Sequence, residues 1–190
     1  MNELLRTPAA DFDHPIDLLD GCHERVRRNC ALAARIAAHL ESRGADEEAR
    51  TAARSVLRYF GEAARNHHLD EERDLFPALI QAADSGSLPA VQALVDRLKA
   101  EHVALGHLWD DMRVRLELIA EGQDATIPGE LAREFTDAYE RHIVLEEVEL
   151  LPLARLSLDD EALSRLGIAM AERRGVTAGW MRSSATHSRS

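Results

Sequence analysis

The chain has 190 residues, 45% of them hydrophobic and 30% charged, and a net charge of −11. That is a globular composition, long enough to bury a substantial core and short enough for one domain. No block rich in lysine and arginine stands apart from the acids, which argues against a nucleic-acid footprint and against an anionic membrane surface.

The chain opens with "MNELLRTPAADFDHP", which carries acids and no apolar run, so residues 1–13 are read as an N-terminal arm rather than a signal peptide. A first helix is predicted from about Pro15 to Ser42, with Pro15 suited to the first helical position. Ile16, Leu19, Val26, Cys30, Ala33, Ala37 and Leu40 recur on it mostly at steps of three and four, and "RGAD" closes it. Its two cysteines, Cys22 and Cys30, are eight apart, a spacing that fits no thiolate zinc or redox motif. A second helix runs from about Asp46 to Ala83, and Pro77 within it should kink it or begin its final turns.

After the joint "DSGSLP", a third helix runs from about Pro89 to Ala120 with one broad apolar stripe. The joint "EGQDATIPG" leads to a fourth helix, from about Pro128 to Leu153. A short fifth helix, Asp159 to Arg173, is expected to pack across one end, and residues 174–190 are read as a disordered tail in which Trp180 could dock. Strand signals are almost absent. Four long helices on short joints predict an all-α fold, an antiparallel up-down-up-down four-helix bundle spanning residues 14–173 with its short C-terminal fifth helix. No stretch approaches the ~18 apolar residues of a membrane span, and a soluble cytoplasmic protein is expected.

One pattern occurs twice. "HHLDEERDLFP" at residues 67–77 and "HIVLEEVELLP" at 142–152 both read His-x3-Glu-Glu-x2-Leu-[Phe/Leu]-Pro. Residues four apart share a helix face, so His67 with Glu71 and His142 with Glu146 each present an imidazole and a carboxylate together. The alignment of the copies also sorts the adjacent histidines, because the counterpart of His68 is Ile143. Counted along an alternating bundle at ~1.5 Å per residue, His23 on the first helix and His102 on the third fall at the height of this pair. Two interior carboxylates are costly unless paired or bound to metal, so the six residues together point to a metal site. Imidazole and carboxylate donors suit iron, manganese or zinc, and four His with two Glu exceed what one tetrahedral zinc takes. Two metals bridged by the carboxylates, each with room for an outside molecule, match that donor count, and iron is the expected occupant ahead of manganese or zinc. The Glu-x-x-His grammar of ferritin-like bundles does not occur here.

These segments, with "CHERVRR" on the first helix and "AEH" on the third, resemble the hemerythrin-like (HHE cation-binding) family over roughly residues 14–155. The resemblance implies a non-haem di-iron centre with oxo and carboxylate bridges. His23, His67, Glu71, His102, His142 and Glu146 would be its metal ligands, with Glu71 and Glu146 bridging. Oxygen-carrying members have a further His one turn after the third-helix ligand. That position is Gly106 here, so the resemblance implies gas or oxidant sensing, iron handling or repair-type chemistry rather than reversible oxygen transport. The expected partner is a small diatomic molecule or peroxide, with no nucleic acid and no membrane. A di-iron enzyme reducing nitric oxide or peroxide, or donating iron to clusters, is the alternative, and a metal-free structural bundle the third reading. No catalytic residue is assigned. Glu72 and Glu147 are read as solvent-facing acids or acceptors from ligand imidazoles. Cys22 is read as a packing residue, Tyr139 as packing that could also line the pocket, and His14, His39 and His107 as bystanders.

Overall fold

The computed structural model describes residues 12–176. The arm and tail expected at 1–13 and 174–190, Trp180 included, fall outside that range apart from residues 12–13 and 174–176. The described residues form five helices and no strand: α1 (Pro15–Arg43), α2 (47–82), α3 (Leu88–Ala120), α4 (129–157) and α5 (Asp160–Arg173). None of them is long and apolar enough to cross a membrane.

Local chemistry sets the ends. Asp46 accepts from the Ala49 N–H at 2.9 Å and starts α2, and Asp159 accepts from the Ala162 N–H at 2.8 Å and starts α5. Gly44, with φ of 68°, stops α1 in a backbone conformation that side-chain-bearing residues avoid. In α2 and α4 the hydrogen bonding widens to π turns over Glu71–Leu75 and Glu146–Leu150, the same place in both copies of the repeat. Each wide turn ends just before the proline. Pro77 and Pro152 then sit in the first turn of the resumed α-helix, where a missing N–H costs little. For this reason α4 does not stop near Leu153 as expected, but runs on through Leu151–Ser157. A third π turn, Tyr59–Ala64, precedes His67.

Helix α1 packs against α2 and α4, and α3 packs against the same two, while α5 lies against α1 and α2. The core is divided in two. One cluster joins the C-terminal half of α1 (Val26 to Leu40) to Ala49–Ala64 of α2, Leu105–Ile119 of α3 and Ala132–Ile143 of α4. The other joins Ile16 and Leu19 of α1 to Leu75, Phe76 and Leu79, to Val91–Leu98, to Leu150–Ala154 and to α5. Each of the four long helices therefore belongs to both clusters, and between them each contributes buried polar residues.

Candidate metal centre

The residues between the two apolar clusters are His23, His67, Glu71, His102, His142 and Glu146, all 6% exposed or less. The structure brings together all six residues singled out in the sequence. The two carboxylates lie at the centre. Glu146 directs Oε2 toward His23 Nε2 at 3.0 Å and His67 Nε2 at 3.7 Å, and Oε1 toward His142 Nε2 at 2.8 Å and His102 Nε2 at 3.9 Å. Glu71 directs Oε1 to His67 Nε2 at 3.6 Å and Oε2 to His102 Nε2 at 3.3 Å. Each carboxylate thus has one oxygen on the side of the His23–His67 pair and the other on the side of the His102–His142 pair. The donor atoms fall into two sets sharing Glu146: His23, His67 and Glu146, and Glu71, His102, His142 and Glu146, each set within 4.8 Å.

Three of the four outer ring nitrogens are also held, whereas His67 Nδ1 has no carboxylate and is buried without an aligned hydrogen bond. His23 Nδ1 lies 3.2 Å from Glu147, His102 Nδ1 lies 2.7 Å from Glu72, and His142 Nδ1 lies 3.0 Å from Glu101. A carboxylate at Nδ1 accepts a hydrogen bond from its N–H, orients the ring and leaves the Nε2 lone pair facing inward. Glu72 and Glu147 thus orient ligand-side imidazoles while staying part-exposed, so both readings of these acids are seen at once. Glu147 is itself held by Arg27, which reaches it at 2.8 Å and clamps Glu140 at 2.9 Å. Glu101 was not singled out in the sequence, although it precedes His102 in "AEH"; its partner sits on another helix. Asp70, also passed over, is fully buried and bound by Arg173 and Arg174, which fastens the end of α5 to α2 beside Glu71.

Burial pushes the Glu146 carboxyl up, but the surrounding imidazoles of His102, His142, His23 and His67 outweigh it and hold Glu146 well below the ordinary carboxylate range. Burial works against the charged form of His102, yet Glu146, Glu71 and Glu72 raise it to about 10. His67 and His142 are raised for the same reason, by Glu71 and Glu146 respectively above all other attractive partners. Cys22 is buried and free, as the packing reading holds; burial raises its thiol, but His67 and Arg25 bring it to about 7.

The donor set suits a cation. All four oxygens of Glu71 and Glu146, with His23 Nε2, are buried without an aligned hydrogen bond, although imidazole nitrogens surround them. Such atoms ordinarily have partners. The Nε2 atoms of His102 and His142 stand 3.1 Å apart. Two imidazoles bound at right angles to one ion by bonds of about 2.1 Å place their nitrogens about 3 Å apart. Nitrogen and carboxylate donors without thiolate fit iron, manganese or zinc.

His68 lies beside this cluster, stacked on His102. Tyr139 packs against Phe60 and Phe135 and also lines a cavity of about 250 Å³ with His68 and Gly106, so both of its readings apply. His39 pairs with Asp46 at 2.9 Å, away from the cluster, and His107 is exposed.

Residues 14–154 match the model of the hemerythrin HHE cation-binding domain. A protein of Haemophilus influenzae, itself uncharacterised, is 34% identical over 167 residues, which is 88% of this chain and 94% of that protein. The match covers the inward cluster and both repeat copies, and the chain belongs to the hemerythrin HHE cation-binding family.

Proposed function

We propose that the chain is a cytoplasmic di-iron protein that binds oxygen, nitric oxide or peroxide as a sensor or handles iron, with His23, His67, Glu71, His102, His142 and Glu146 as the metal ligands. The observation that carries this reading is the split of each central carboxylate, one oxygen toward each histidine pair. A carboxylate so divided would be able to bridge two ions, and family membership supports a cation there. The alternation of the long helices between the same two apolar clusters supports an antiparallel four-helix bundle as the frame.

When bound, iron would supply redox chemistry and an open coordination position. The chain's own residues do the rest. Glu147, Glu72 and Glu101 accept hydrogen bonds from the Nδ1–H groups of His23, His102 and His142, which keeps each ring in the tautomer that offers Nε2. The apolar clusters above and below exclude bulk water, and the cavity beside His68 admits small molecules. Because these acids are engaged in holding imidazoles, they are poor candidates for delivering protons in a reaction. That favours binding over turnover. A di-iron enzyme reducing nitric oxide or peroxide is the second reading, and the cavity leaves room for its reactant.

Aerobic purification from iron-fed cells tests the assignment. The expected result is two iron ions per chain with near-ultraviolet charge-transfer absorption, and loss of that band with at least one ion in His142→Ala. A wild type purified this way that is folded but carries no metal, or an unchanged spectrum in His142→Ala, would sink it. Steady turnover of nitric oxide or peroxide would move the assignment to the enzyme.

A further inference from the structure

His68 follows His67 on α2, so it points about 100° away round the helix and meets the opposite imidazole pair. Its ring lies 4.0 Å from that of His102 at an interplanar angle of 14°, and 5.7 Å from that of His142 at 83°. One of its nitrogens is within 4.8 Å of donor atoms on both. That proximity suggests a further ligand, but the stacking excludes it. An imidazole holds a metal in the plane of its ring, about 2.1 Å from the nitrogen. Two nearly parallel rings stacked face to face share no such point, so an ion bound to His102 lies outside the plane of His68.

Its nitrogens are left without partners. Among the described residues His68 makes ring contacts but no hydrogen bond or ion pair. Neither nitrogen is among the fully buried unpartnered atoms, so the donor and the acceptor of the neutral ring face accessible space rather than sealed core. Space lies next to it. One turn beyond His102 stands Gly106, where an added Cβ would meet nothing within 4 Å. The cavity of about 250 Å³ opens there, between His68, the charged Arg65 and Glu72, Gly106 and the apolar side chains of Phe60, Trp109 and Tyr139. Glu72, its acidic lining residue, is already engaged with His102 Nδ1.

We propose that His68 is a ligand-binding residue: its ring N–H donates a hydrogen bond to a small molecule with an acceptor atom, which enters by this cavity and occupies the open position beside His102 and His142. The class of ligand is a small molecule, neutral or singly negative, because Phe60, Leu69, Trp109 and Tyr139 supply apolar lining, Arg65 adds a cation, and the acid Glu72 is taken up by His102. The inference rests on the reading that the cluster holds iron, and deepens it by naming the residue that selects what binds there.

Azide is a suitable probe, being a small linear anion whose binding to ferric iron produces a visible absorption band. The iron-loaded full chain, His68→Leu and His68→Gln would be compared for iron content and titrated with azide. His68→Leu should retain its iron and bind azide about tenfold more weakly, the loss of one hydrogen bond of ordinary strength. His68→Gln, which keeps an N–H donor, should recover most of the affinity. Azide affinity in His68→Leu within about twofold of the wild type would overturn the proposal, as would loss of iron from that variant, which would make His68 a metal ligand. A wild type that holds iron but binds no azide overturns this inference alone. A wild type that takes up no iron overturns the metal assignment with it.

Discussion

His142 is held at both ring nitrogens, by Glu146 at 2.8 Å on the inner side and Glu101 at 3.0 Å on the outer. The outer contact fixes the tautomer and the rotation of the ring, so its removal should loosen the metal without removing a ligand. Glu101→Gln is expected to lower metal affinity by about 10- to 100-fold while leaving the fold intact, read by competition with a chromophoric chelator. Unchanged affinity would show that Glu101 is only a surface partner. The two kinds of residue were unequally legible in the sequence. His67 with Glu71 and His142 with Glu146 stand one turn apart, and spacing alone puts each pair on one face. Glu101 and His142 are separated by 41 residues, and Asp70 and Arg173 by 103, so their contacts exist only once the helices pack. No local pattern encodes them.

Among the helices, the long apolar periodicities located all five to within a few residues, because a helix with one buried stripe repeats its side chains at a fixed period. The π turns escaped. A widened turn changes which carbonyl receives a hydrogen bond, and Phe76 and Leu151 donate to Glu71 and Glu146 five residues back, with little trace in the apolar pattern. Only the prolines six residues after each glutamate marked the place. Helix α5 shows the same limit. Gly167 looks like a weak point in it, and Gly→Ala inside a helix ordinarily gains up to about 1 kcal/mol. Here a Cβ would run into the backbone carbonyl of Phe12, which crosses the helix at close range. Gly167→Ala is therefore expected to destabilise the protein, against the intrinsic propensity, with a lowered denaturation midpoint in urea. A raised midpoint would mean that the Phe12 segment moves aside at little cost.

Across the whole molecule, two apolar clusters enclose a layer of imidazoles and carboxylates, and that arrangement makes the metal-free protein respond to pH. Without metal the layer is stabilised as an ion cluster. His102 has a folded pKa of about 10 against an ordinary 6.5, so its contribution is complete below 6.5 and is lost as pH rises through 10. Glu146 is depressed from its ordinary 4.5, so its contribution is complete above 4.5 and is lost as pH falls through its lower folded value. The metal-free protein should hold these contributions in full between 4.5 and 6.5 and weaken toward alkaline pH. Metal reverses the alkaline trend, because each imidazole must give up its proton to bind and a deprotonated site takes the ion more tightly. Thermal melts of loaded and metal-free protein from pH 6 to 10 should diverge, with the gap in Tm smallest at pH 6 and widening upward. Calorimetric titration with metal at pH 7 to 8, in buffers of different ionisation enthalpy, should register proton release. A gap that stays constant over this range, or uptake with no proton released, would mean that the imidazoles are already neutral in the metal-free fold and do not form the ion cluster.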